Sequence, residues 1–308
     1  MEGLSVMFAA GFGIVNIDLL YSGMPRIPNE GEEIYAQDFS MQLGGGYVAT
    51  LITLGRLSVP CKMATFLGND LFSDFARRKL ETYGQNPCNL YQGEGMPLNV
   101  TTAIVTQEER TFVSYRGDTG ITSEMRERFY EMCRGAKIVF LDPAFWEECA
   151  QLQKEGATLL YDVGWYDDLS PETYGHLLQL ADYYVPNSRE AMKMTGTDTP
   201  EDAAMAMTKW FDRVVVKTDR SGCLIGENGI MHKIFALPNV QAVDATGAGD
   251  AFLAGFAYGI FHERSLADCA MLGNITGAAC VQGMGCLTSY VTEEALLQTL
   301  ATHGNASQ

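Results

Sequence analysis

The stretch Val243-Asp244-Ala245-Thr246-Gly247-Ala248-Gly249-Asp250-Ala251-Phe252 leads directly into an apolar run, Phe252–Phe261. Side chains no larger than a methyl at Gly247, Ala248 and Gly249 let backbone N–H groups converge where a strand turns into a helix. The unpaired donors and dipole of a helix N-terminus stabilise negative charge there. Asp250 falls in the first helical turn beside that site, where its carboxylate can accept the proton of an attacking hydroxyl. An anion site next to a base is what phosphoryl transfer to an alcohol requires. A lone Gly-x-Gly-Asp is more often an ordinary turn with an aspartate cap, so the weight rests on the whole stretch.

Other frameworks for phosphate or redox chemistry lack their residues. No Gly-Lys dipeptide occurs, which removes the Walker A loop. Gly11-Phe12-Gly13-Ile14-Val15-Asn16 begins like a dinucleotide fingerprint, but Asn16 replaces the third glycine, and Pro25 and Pro28 prevent the helix that must follow. The histidines His176, His232, His262 and His303 accompany no Gly-x-Ser-x-Gly elbow, so a hydrolase triad has no basis. The 8 cysteines are dispersed, without Cys-x-x-Cys or a histidine at ligand spacing, and are expected to be reduced, mostly buried thiols.

These residues need a scaffold to position them. The 308 residues are 47% hydrophobic and 19% charged, enough for one large core. Lys and Arg number 21 against 38 Asp and Glu, a formal net charge of -17, which disfavours nucleic acid and anionic membrane as partners. A small anion can still bind locally. The apolar opening Ser5–Ile17 has no basic flank and runs into Asp18, and no segment offers about eighteen uninterrupted apolar residues, so the expected location is cytoplasmic.

Short β-rich runs alternate with amphipathic stretches, the mark of an α/β fold with a parallel sheet covered on both faces. Strands are expected at Ser5–Gly11, Cys61–Leu67, Lys137–Leu141, Thr158–Asp162, Tyr183–Val185 and Arg213–Lys217, several of them continuously apolar. Helices are expected at Leu71–Tyr83, after the Ser170-Pro171-Glu172 cap, from Pro200, in two pieces across Gly249–Val281 broken near His262–Ser265, and at Thr292–Thr302. Two segments break the alternation. Ile14–Leu43 carries Pro25, Pro28 and Gly31, and the Thr-rich Asn99–Asp118 folds around Gln107-Glu108-Glu109; both are expected to leave the main sheet and pair as a small lid.

With these pieces in order, the chain resembles the ribokinase-like (PfkB-type) carbohydrate kinases, whose late signature reads D-T-T-G-A-G-D-A-F. Only its second position differs here, Ala245. The resemblance implies a single kinase domain over 1–308: a three-layer α/β/α sandwich with a mostly parallel central sheet and a β lid formed by excursions at about 14–43 and 98–118. It implies Asp250 as catalytic base and Gly247, Ala248 and Gly249 as anion hole. Thr246 then lies at the nucleotide and Asp244 at a monovalent-cation site.

A partial second element is Gly44-Gly45-Gly46-Tyr47-Val48-Ala49-Thr50, continuing to Arg56-Leu57-Ser58. Ala49 stands where the family commonly has a sugar-contacting asparagine, and Ser58 replaces a closing glycine. Further landmarks follow in family order. The resemblance implies that Asp18, Gly44, Gly45, Gly46 and Thr101 meet the substrate. Asn187 and Glu190, matching N-x-x-E, organise Mg2+ through water, while Asn187, Lys217, Thr218 and Gly222 lie along the ATP phosphates. Asn274 and Gly283-Met284-Gly285 flank adenine. Singly, each has a capping or packing explanation; jointly, their order carries the reading.

The implied activity is ATP-dependent phosphorylation of a hydroxymethyl-type hydroxyl on a small sugar, with ATP, Mg2+ and potentially K+ as cofactors and a homodimer joined through the lids. Nucleoside kinases share the pattern. Tyr115-Arg116 resembles the Tyr-Arg pair of 2-keto-3-deoxygluconate kinases, where the arginine approaches a carboxylate, so an acid sugar is an alternative substrate. The departures at Ala49 and Ser58 keep a third alternative open, a sugar sensor that binds without transfer.

Overall fold

The computed structural model describes residues 6–106, 109–164 and 166–303. The expected strand start at Ser5 and the Gln107-Glu108 part of the lid turn lie outside them. In chain order the first half contains β1 (Ala9–Phe12), β2 (Asn16–Met24), β3 (Asp38–Gly44), α1 (Tyr47–Arg56), β4 (Cys61–Thr65), α2 (Leu71–Thr82), β5 (Cys88–Asn89), β6 (Asn99–Thr106), β7 (Arg110–Tyr115) and α3 (Ser123–Cys133). Then come β8 (Ile138–Phe140), α4 (Trp146–Lys154), β9 (Thr158–Tyr161), α5 (Pro171–Leu180), β10 (Tyr183–Tyr184), α6 (Ser188–Thr195), α7 (Pro200–Met207) and β11 (Arg213–Lys217). The chain closes with β12 (Cys223–Glu227), β13 (Ile230–Ile234), α8 (Ala248–Phe261), α9 (Leu266–Cys280) and α10 (Glu293–His303).

Six strands form a parallel sheet in the order β10-β9-β8-β1-β4-β5. Successive side chains of a strand point to opposite faces, and both faces are apolar. Ala9, Ile138, Phe140 and Leu160 join a core with α1, α2, α8, α9 and α10, whereas Ala10, Val139, Leu141 and Leu159 join a second core with α3 to α7. This is the expected three-layer α/β/α sandwich. The helix starts follow their caps: Asp70, Thr122, Ser170 and Thr199 each accept a backbone N–H of the first turn, and proline opens α5 and α7. No helix among the described residues is long and apolar enough to cross a membrane. All 8 cysteines are free thiols, most of them buried.

The antiparallel sheet β11-β12-β13 extends this layer. An isolated parallel bridge between Asn187 and Lys217, with the Lys217 N–H donating to Pro186 O at 2.9 Å, joins β11 to the end of β10. The two polar residues therefore sit side by side at the carboxyl ends of neighbouring strands. The β12–β13 hairpin is absent from the sequence expectations.

The two irregular segments form a separate sheet, β3-β2-β6-β7, in which β2 pairs parallel with β6 and the outer pairs are antiparallel. In register, Asn16 meets Asn99 and Asp18 meets Thr101, so these polar residues share one face. The edge strands expose Phe39, Phe112, Val113 and Tyr115.

Candidate active site

A cleft of about 470 Å³ opens at the carboxyl ends of the parallel strands, between the sheet and the lid, and is lined by Gly13, Asn16, Tyr47, Asp162, Lys217 and Asp250 among others. Ligands of open parallel sheets bind at this edge, and the volume suits a small metabolite.

The floor is the start of α8. Gly247 caps it in the left-handed region (φ 78°, ψ 2°) without any side-chain cap. The N–H groups of Gly247, Gly249 and Asp250 have no acceptor among the described residues. A β-carbon on Gly247 would collide with Cys286, so only glycine fits. The helix behind this turn is almost wholly buried against α1 and α9. Two hydroxyls pin its first turn: Thr50 Oγ1 donates to Asp250 O at 3.2 Å and Thr276 Oγ1 to Ala251 O at 2.6 Å. Thr50 belongs to the helix that follows Gly44–Gly46, and Gly45 (φ 119°) turns its backbone tightly against Ile14 and Asn16. The early glycine run thus supports Asp250 from behind.

Charge concentrates on one wall. Lys217 Nζ lies 2.6 Å from Asp162 Oδ2 with both side chains nearly buried, and a β-carbon on Gly249 would be 3.4 Å from that same ammonium. The Tyr47 hydroxyl accepts the Asp162 N–H at 2.8 Å and shares its proton between Leu141 O and Asp162 O, which fixes the strand end bearing this carboxylate. Burial pulls the Lys217 ammonium down, but the Asp162 and Glu190 carboxylates outweigh it and hold the pKa above its ordinary value. Asp250 is pushed up to about 7, first by burial and then by Asp162 and Glu190, against the opposing pull of Lys217. A carboxylate tuned to this range is matched to proton transfer near neutral pH.

Asn187 and Glu190 form a capping box at α6: Asn187 N–H donates to Glu190 Oε2 at 2.8 Å, and Glu190 N–H to Asn187 Oδ1 at 2.9 Å. Both also line the cleft. The box leaves Glu190 Oε1 and the Asn187 amide group for the cleft, a sparse oxygen and amide set suited to a hard cation that keeps most of its water.

On the lid side, Asn16 Nδ2 donates to Asp18 Oδ1 at 2.6 Å, and Thr101 Oγ1 donates to Asn16 Oδ1 at 3.1 Å. Asn16 lines the cleft, with Asp18 and Thr101 behind it. Burial raises Asp18 to about 6 despite the Asn16 bond. Gly44 pairs with Asn16 across β2–β3. From the first residue of β7, Arg110 reaches Asp244 and donates to Thr246 Oγ1 at 2.8 Å. Burial works against ionisation of Asp244, but Arg110 and the Thr246 and Gly285 N–H groups hold its carboxyl below the usual range.

Of the residues singled out in the sequence, Gly45, Gly46, Asn187, Glu190, Lys217, Gly247, Gly249 and Asp250 line the cleft. Ala248 completes the turn. Thr218 follows Lys217 with its hydroxyl buried and unpartnered among the described residues, and Gly222 (φ 98°) makes the tight approach to Ile234 that opens β12. Asn274 donates to Ile234 O and Phe235 O, so its amide is spent on the hairpin exit. Arg116 is exposed just beyond β7 and is not among the lining residues. Asn16, Tyr47, Asn99, Asp142, Asp162 and Tyr166 line the cleft without having been singled out as site residues. Asp162 carried a signal, an acid ending an apolar strand; Asn16 and Asn99 carried only their place in the lid.

Comparison with known proteins agrees with this geometry. A ribokinase of Arabidopsis thaliana is 28% identical over 313 aligned residues, covering 94% of this chain and 79% of the relative. A 2-dehydro-3-deoxygluconokinase of Bacillus subtilis (strain 168) is 25% identical over 291 residues, covering 88% of this chain and 90% of the relative. The structure of Arabidopsis thaliana ribokinase complexed with ribose and ATP has a TM-score of 0.80 at 23% identity, covering 96% of this chain and 99% of that one. The signature of pfkB family carbohydrate kinases matches residues 9–293, from the first residue of β1 to the first of α10. With its fold and its late glycine turn both inside that span, the chain belongs to the pfkB family of carbohydrate kinases, phosphotransferases with an alcohol as acceptor.

Proposed function

We propose that this kinase transfers the γ-phosphoryl group of ATP to a hydroxymethyl-type hydroxyl of a small carbohydrate held under the lid. The observation that carries the reading is Asp250, tuned to about 7, in the first turn of a helix whose opening N–H groups have no protein acceptor. Asp250 takes the hydroxyl proton as the acceptor oxygen bonds to the γ-phosphorus and the bond from that phosphorus to the β–γ bridging oxygen breaks, leaving ADP. The N–H groups of Gly247–Gly249 face the charge on the equatorial oxygens, and Lys217 adds a fixed positive charge beside the turn. Asn187 and Glu190 are the residues that would hold Mg2+, which when bound neutralises phosphate charge. Asn16, positioned by Asp18 and Thr101, presents an amide to substrate hydroxyls.

ADP release measured over ribose, fructose, nucleosides and 2-keto-3-deoxygluconate tests turnover and substrate class together. A sugar or sugar-like acceptor is expected to turn over. Tight sugar binding with no ADP in any case would instead assign a sensor. The exposed Phe112 and Val113 on edge strand β7 favour a homodimer joined through the lids; Val113→Glu is then expected to shift the mass in light scattering from two chains to one.

A further inference from the structure

We propose that the Arg110 guanidinium, delivered by the lid, occupies the role of a bound monovalent cation beside the anion-hole turn, so that turnover needs no potassium. The inference rests on the kinase reading for its activity arm and on geometry for its site.

Asp244 is the hinge of this corner. Its side chain is 0% exposed. Its Oδ1 accepts the Thr246 N–H at 2.7 Å and its Oδ2 the Gly285 N–H at 2.8 Å, so one carboxylate ties the anion-hole turn to the loop after α9. A buried carboxylate needs a counter-charge as well as hydrogen bonds. A bound alkali ion would supply that charge only where oxygens with free lone pairs converge. Here N–H groups meet both carboxylate oxygens, the Thr246 hydroxyl accepts from Arg110, and the Cys280 thiol donates to Thr246 O at 3.5 Å. The donor set therefore fits a hydrogen-bonding cation and not a bare one.

Arg110 provides it. The same Nη1 bonds Asp244 Oδ1 and Thr246 Oγ1, and the guanidinium keeps its charge at every working pH. Because Arg110 opens β7, the ion pair also ties the tip of the lid hairpin to the residue next to Gly247. Lid placement and the shape of the anion hole become one structural event, which an exchangeable ion would not couple.

The test compares wild type, Arg110→Ala and Arg110→Lys at constant ionic strength in potassium, sodium or tetramethylammonium chloride. It reads both ADP release and melting temperature without nucleotide or sugar. Wild-type rate and melting temperature are expected to be the same in all three salts. Arg110→Ala is expected to be impaired in tetramethylammonium and stimulated about tenfold by potassium, within the usual span of coupling between sites. Its melting temperature should rise with potassium, while Arg110→Lys stays indifferent to the salt. A wild type that loses activity without potassium, or melts higher with it, overturns the proposal; so does an Arg110→Ala protein that ignores potassium in both readouts. If no acceptor yields ADP, the kinase reading fails, and the melting series still decides the cation question. If Arg110→Ala does not fold, the salt response of wild type and Arg110→Lys decides it.

Discussion

Replacing Gly247 by alanine perturbs the anion hole with the smallest available group. The residue sits at φ 78°, where a β-carbon costs about 1–2 kcal/mol. That carbon would also lie 2.7 Å from Cys286 Cα and closer still to its Cβ, an overpacking worth about 1–3 kcal/mol. The sum, about 2–5 kcal/mol, is a large share of the roughly 5–15 kcal/mol that holds a domain folded. The cheapest relaxation swings the turn away from Cys286 and re-aims its N–H groups, so kcat should fall about 10²–10³-fold, as for loss of an anion-hole donor. Urea unfolding and ADP release check the two halves separately. Gly247→Ala/Cys286→Gly removes the collision but not the backbone strain, and should recover part of the unfolding midpoint. A Gly247→Ala enzyme with unchanged midpoint and kcat would refute both the strained turn and its catalytic role.

The acid limb of kcat/KM should lie near pH 7, because Asp250 acts only when ionised and activity falls as pH drops through its pKa. Lys217→Met removes a charge that favours ionisation and should move that limb to higher pH, while Asp162→Asn should move it lower; equal or reversed shifts in pH–rate profiles would contradict the assigned wall. Asp162→Ala leaves the Lys217 ammonium buried without its ion-pair partner and should cost about 3–5 kcal/mol in denaturant unfolding.

The parallel sheet was legible because its strands are short, apolar and spaced by capped amphipathic helices; Ser170-Pro171 and Pro200 mark their helix starts almost to the residue. The anion-hole turn was legible for a local reason, since a run of small residues before a helix has few other uses. The β12–β13 hairpin went unread although Asn228-Gly229, both at positive φ, is the strongest short-range turn signal. Its strands are short and its outer face polar, which blurs the period. Lys217 with Asn187 was named from resemblance, but their partner Asp162 comes from a strand three positions along the sheet order from β1. Only sheet order brings those carboxyl ends together. Arg110 reaches Asp244 across 134 residues, and no local pattern marks such a pairing.

The account turns on one carboxylate, and the direct measurement is the ADP release rate of Asp250→Asn against wild type on an acceptor from the sugar and nucleoside panel. The account predicts a loss of about 10²–10⁴ in kcat with KM for ATP little changed, because the substitution removes the proton acceptor and keeps the shape of the turn. A variant that turns over at near wild-type rate would contradict it.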